Sequence, residues 1–135
     1  MVQEKKIHVF EYEFHADSSI CIVKAIGEID FEESTNAMKY VASHPEFDIG
    51  FKIIVDLTEM NYHPSYEDLL GIVDTLKLLK ESFTNKMALI TKPKMSIVAK
   101  LVSVYCELAG MKMKSFISIE EANLWISELK EKLSE

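Results

Sequence analysis

With 135 residues and 48% hydrophobic content, the chain reads as a single domain over residues 1–135, able to bury well over half of its unfolded surface without a disulfide or metal. A net charge of −7, with 15 scattered Lys and Arg, argues against a nucleic-acid backbone as partner and disfavours anionic membrane surfaces, because both require clustered basic residues. The longest apolar stretch, residues 95–111, is broken by Lys100 and Glu107 and is too short to span a bilayer. No signal-peptide core follows the polar N-terminus, so a cytoplasmic protein is expected.

Residues 7–15 alternate, with Phe10, Tyr12 and Phe14 on one side and Glu11, Glu13 and His15 on the other, which predicts a half-exposed strand. A turn at residues 16–19 leads into a second strand, Ile20 to Ile26, so the two form an antiparallel hairpin, and Gly27 ends the pattern. Asp30 and Glu33 form a capping box for a first helix, whose stripe is Ala37, Met38, Val41 and Ala42. Pro45 stops it near Ser43 or His44.

Ile53-Ile54-Val55 is a β-branched run without polar alternation, the pattern of a central strand buried on both faces. Asp56 ends the run. The following loop lies at the carboxyl end of that strand, where sites of open α/β sheets gather. A second helix is predicted from about Ser65 to Phe83, with Leu69, Ile72, Val73, Leu76, Leu79 and Phe83 inward. Met87-Ala88-Leu89-Ile90 is another short buried strand, and Thr91-Lys92-Pro93-Lys94 turns the chain into a third helix that ends near Gly110. Ser115-Phe116-Ile117 is the last strand. Ser118 then caps a final helix, with Glu121 at the capping-box position and Ala122, Trp125, Ile126, Leu129 and Leu133 as its buried stripe. The order β-β-α-β-α-β-α-β-α implies right-handed crossovers and a mixed, mostly parallel sheet flanked by helices.

That order carries several local phrases: Gly27-Glu28-Ile29-Asp30-Phe31-Glu32-Glu33, His44-Pro45-Glu46-Phe47, Ile54-Val55-Asp56-Leu57 and Glu120-Glu121-Ala122-Asn123-Leu124-Trp125. On these the chain resembles the STAS-like (SpoIIAA-like) family, the fold of bacterial anti-anti-sigma factors, with the lipid-binding Sec14 type as a related fold. The resemblance implies a small, non-enzymatic regulatory module that docks a protein partner. Signalling members present a phosphorylatable serine at the start of the helix after the strand ending here in Asp56-Leu57, and counting along the loop places Ser65 there. Pro64 stands where that motif has an acidic residue, and Glu67 where it has a glycine.

Ser65 is therefore a candidate phosphorylation site. A phosphate there would meet the free N–H groups and dipole of a helix N-terminus, whereas the plainer role is an N-cap with Asp68 three residues on. The partner or ligand edge is residues 59–65 together with the Lys92 loop, naming Asp56, Tyr62, His63, Tyr66, Lys92 and Lys94. The third helix is apolar nearly all round. Ile97, Val98, Leu101, Val104, Tyr105 and Leu108 form one face, and Ala99, Val102, Cys106 and Ala109 form a second, so the helix is either central to the core or covered on its outer face. This second face is the candidate for a homodimer contact or for a small apolar or lipid ligand. The four histidines have no metal-binding spacing, and Cys21 and Cys106 are expected to be buried free thiols. No catalytic residue, metal or cofactor is assigned.

Overall fold

The alternating aromatics of the first segment do form an edge strand. In the computed structural model, which describes residues 8–128, β1 (His8–His15) pairs antiparallel with β2 (Ile20–Glu28). The chain continues through α1 (Phe31–Ser43), β3 (Lys52–Asn61), α2 (Tyr66–Leu78) and β4 (Met87–Ile90). A single 3-10 turn at Pro93–Met95 leads into α3 (Ser96–Leu108), followed by β5 (Met113–Phe116) and α4 (Ile119–Ser127). The sheet order is β1-β2-β3-β4-β5, parallel from β2 onward, so β3 is the central strand.

Ile53 and Ile54 are 3% and 6% exposed and belong to different apolar clusters, one on each side of the sheet. On one side α1, α2 and α3 cover Cys21, Val23, Ile53 and Met87. On the other, α4 places Ala122 and Ile126 against Ile54, Ala88 and Ile90. The last carbonyls of α4 are taken up by lysines of the sheet and the β4 approach. Lys52 Nζ donates to Ile126 O (2.7 Å) and Lys86 Nζ to Trp125 O (2.8 Å), and Lys86 also lies 5.1 Å over the Trp125 ring. This satisfies carbonyls that a helix leaves unbonded at its end.

The N-caps hold, and α1 closes a full capping box whereas α4 has only the Ser118 side of one. The Asp30 and Glu33 side chains exchange bonds with each other's N–H groups at 2.8 and 3.0 Å. The Ser118 hydroxyl accepts from the Glu121 N–H, while it donates to Glu120. Gly110 ends α3 at φ +97°, where its N–H reaches Glu107 O and the Met111 N–H reaches Cys106 O. That is the paired 5→2 and 6→1 closure for which a glycine in the left-handed region is suited.

Five expectations change. β2 does not stop at Ile26 but runs through Gly27, at φ +87°, to Glu28. β3 does not end at Asp56 either. Its pairing with β2 outlasts its pairing with β4, carrying Glu59, Met60 and Asn61 into the ladder opposite Ile26, Gly27 and Glu28. The register slips there by one residue, so Leu57 and Thr58 together oppose Ala25, a β-bulge. α2 ends at Leu78, and Phe83 is buried from the loop beyond it. β5 begins two residues before the expected Ser115 and ends at Phe116, leaving Ile117 outside it. On α3 the second stripe turns to the sheet, with Val98 and Tyr105 of the first packed beside it. Ala99, Val102 and Cys106 are buried, while Ile97 and Leu108 are 75% and 80% exposed. Both stripes are apolar, so hydrophobicity does not choose between them. The smaller side chains let the helix lie closer to the sheet, and they face inward. As an outward homodimer face, that stripe is not available. Leu129 and Leu133 lie outside the described residues.

Candidate functional site

The bulge in β3 has a geometric consequence. Side chains alternate along a strand, and one extra residue resets the alternation, so Leu57 and Met60 fall on the same face as Ile53 and Val55. Under that face, between the sheet and α1, α2 and α3, lies an apolar cavity of about 140 Å³. Val23, Val55 and Leu89 come from the sheet, while Met38, Ile72 and Val98 come from the three helices. Tyr62 and Pro64, in the short connection after β3, also line it.

That connection is held by a chain of hydrogen bonds. The Ser65 hydroxyl accepts the Asp68 N–H at 3.0 Å, which caps α2. The Asp68 carboxylate accepts the Tyr62 hydroxyl at 3.0 Å rather than turning back to complete a capping box. Burial first, and then the bond to Asp68 and the nearby charges of Asp68 and Asp30, push the Tyr62 phenol well above its ordinary 10.0. It therefore stays neutral and donating throughout the physiological range.

The candidate residues separate into groups. Tyr62 reaches the cavity wall, and Ala99 and Val102 line it from α3. His63, Ser65, Tyr66 and Lys94 are exposed, and Lys92 is half-buried. The Tyr66 hydroxyl lies 3.3 Å from that of Tyr105, linking α2 to α3. Asp56 faces away from the cavity, and its carboxylate accepts both the N–H and the hydroxyl of Thr58, at 3.0 and 2.6 Å, so it shapes the bulge. Cys106 is fully buried outside the cavity lining, and the Ala109 carbonyl accepts from Lys80 Nζ at 3.3 Å.

Sequence reasoning missed Met60 because the bulge inverts its parity. It also missed Thr91, treated as a turn residue. Thr91 follows β4 with the parity of Met87 and Leu89, and all three line the cavity. Extending the period-two pattern by one position would have found it. Among the described residues, no helix is long and apolar enough to cross a membrane.

No protein-family model matches the chain, and no curated protein matches it. Among solved structures it is similar to a protein of Shewanella loihica PV-4, described as an uncharacterized protein from the DUF3478 family with a SpoIIAA-like fold. The TM-score is 0.59 at 15% identity, covering 93% of this chain and 98% of the other. A likeness at that identity speaks to architecture, and it agrees with the strand order, the antiparallel first hairpin and the four flanking helices. The chain has a SpoIIAA-like α/β fold.

Proposed function

We propose that this domain is a non-enzymatic binding module that takes up a small apolar molecule between the sheet and helices α1–α3. The observation that carries this reading is the cavity itself. Protein interiors are normally packed as densely as organic crystals, with few voids larger than a water molecule. The space of about 140 Å³, partly open to solvent, is close in volume to the roughly 150 Å³ apolar cavity known to bind benzene. That size supports a single ring or a short alkyl chain, and it disfavours a whole membrane lipid. Among the described residues that line the cavity there is no carboxylate, imidazole or ammonium group, which supports a binder over an enzyme. Action in the cytoplasm accords with two buried, free thiols, Cys21 and Cys106.

Toluene is a suitable probe. Titration should shift the methyl NMR signals of Val23, Val55 and Leu89 selectively and should raise the melting temperature with ligand concentration. If neither changes at saturating toluene, the reading is wrong.

A second reading, docking of a protein partner at the same edge, is favoured by the exposure of Ser65 and of Tyr66, which is 61% exposed, beside the cavity-lining Tyr62 and Pro64. A charge at Ser65 would then oppose docking. Ser65→Asp should reduce capture of that partner while leaving toluene affinity unchanged. Equal capture by both forms would return Ser65 to the role of a helix cap.

A further inference from the structure

One polar atom of a cavity-lining residue stands apart, closed off from the open space. Thr91 is 3% exposed, and among the described residues its Oγ1 is the buried side-chain oxygen without a hydrogen-bond partner. Other buried hydroxyls are satisfied locally. Thr35 donates to Glu32 O at 3.1 Å and Ser103 to Lys100 O at 2.9 Å, each using a helical carbonyl one turn back. Thr91 has no such neighbour. It directly follows β4, its N–H is bonded to Phe116 O at 2.9 Å, and it continues the cavity-lining series of Met87 and Leu89. The Tyr62 hydroxyl is engaged by Asp68, and Ser34, the other hydroxyl in the wall, is half-buried.

Leaving a buried hydroxyl unpaired carries a real free-energy penalty, and such groups in native structures call for an explanation. Valine, nearly isosteric, would avoid the penalty. We infer that the Thr91 hydroxyl, turned about its Cα–Cβ bond toward a bound molecule, is the polar anchor of this cavity, and that the ligand is a small neutral molecule, one ring or a short chain, carrying a single hydrogen-bonding group. This rests on the cavity being a binding site, and it names what that site selects. A hydroxyl donates and accepts, so it serves a phenol, carbonyl or amide. An ionised group is disfavoured because the described lining offers no countercharge, and burying an unpaired charge is far costlier than burying a dipole.

The test uses toluene and phenol, which share a shape, with a hydroxyl in phenol where toluene has a methyl, and benzoate as the charged control. Each is titrated against wild type, Thr91→Val and Thr91→Ser. In Thr91→Val the phenol-to-toluene affinity ratio should fall about threefold to tenfold, the range of one hydrogen bond. Thr91→Ser should restore it, and benzoate should bind none of the three. Thr91→Val should also melt above wild type in the absence of ligand, because an unsatisfied group has been removed. If toluene binds all three proteins with an unchanged ratio, the anchor is overturned and the cavity reading stands. Should neither toluene nor phenol bind wild type, the cavity reading falls and the anchor with it. A lower melting temperature for Thr91→Val would show that the hydroxyl has a partner in the free protein, and would also overturn the proposal.

Discussion

Ala99→Leu is expected to stabilise the domain and abolish toluene binding, whereas Ala122→Leu is expected to destabilise it by about 1–3 kcal/mol. The two alanines look alike in sequence. Both sit on helices that face the sheet, and they are 5% and 0% exposed. Their surroundings differ. Ala122 is packed with Ile54, Ala88, Ile90 and Ile126 on the side closed by α4. Three further carbons there must displace neighbours. Ala99 lines the cavity of about 140 Å³ on the other side. Each added methylene that fills existing space gains about 0.8 kcal/mol, against roughly 0.5–1 kcal/mol of side-chain entropy for the leucine. The net gain is of the order of 0.5–2 kcal/mol, as found for cavity-filling substitutions generally. Urea unfolding of both variants, with a toluene titration of each, reads the difference directly. Equal destabilisation of the two would mean that the space beside Ala99 is not there to be filled.

Raising the pH above 9 should weaken the domain steeply, with most of the loss between pH 9 and 12. Burial pushes the Cys21 thiol from its ordinary 9.0 up to about 12, and that of Cys106 up to about 11 against a small opposing influence of Lys77. The half-buried Tyr12 phenol, raised by burial and then by Tyr40 and Cys21, reaches about 12 from 10.0. In each case the unfolded chain loses its proton first. Above pH 9 the unfolded state therefore binds fewer protons than the folded state, and stability must fall as pH rises. The contribution is fully present below the ordinary value and is lost as pH climbs through the raised one. One unit of separation is worth about 1.4 kcal/mol, so each thiol weakens the folded state by on the order of a few kcal/mol, a sizeable share of a typical domain stability of about 5–15 kcal/mol. Tyr12 adds less, since solvent screens it. Urea midpoints measured under reductant from pH 8 to 11.5 should fall continuously. The double variant Cys21→Ala, Cys106→Ala should start lower at pH 8, from lost packing, and decline much less. An identical decline would place the alkaline sensitivity elsewhere.

Much of the architecture was legible because it is written in local periodicity. Phe10, Tyr12 and Phe14 alternate, Ile53-Ile54-Val55 does not, and Asp30 with Glu33 signals a helix start through contacts spanning three residues. Such patterns survive without knowledge of what they pack against. The site was legible only at its edge. Tyr62 and Ser65 were found because they follow the central strand, and the structure joins them through Asp68. The body of the site, however, depends on parity. A single extra residue opposite Ala25 brings Met60 round to the cavity face, and nothing in the run Asp56-Leu57-Thr58-Glu59 announces it.

The sequence by itself determined the order of elements, the hairpin, the buried central strand and the helix caps, because these depend on hydrogen bonds and side-chain spacing within a few residues. The tertiary structure decided where β3 stops, since its ladder with β2 continues after β4 has ended. It also decided which stripe of α3 turns inward, because two apolar faces compete and volume, read only against the sheet, selects the smaller one. The cavity belongs to the same class of outcome. It is the space left when three helices of fixed shape meet one face of a twisted sheet, and no single segment encodes it. Thr91 shows the division most plainly. Its strand parity is local, while the missing partner for its hydroxyl is a property of everything packed around it.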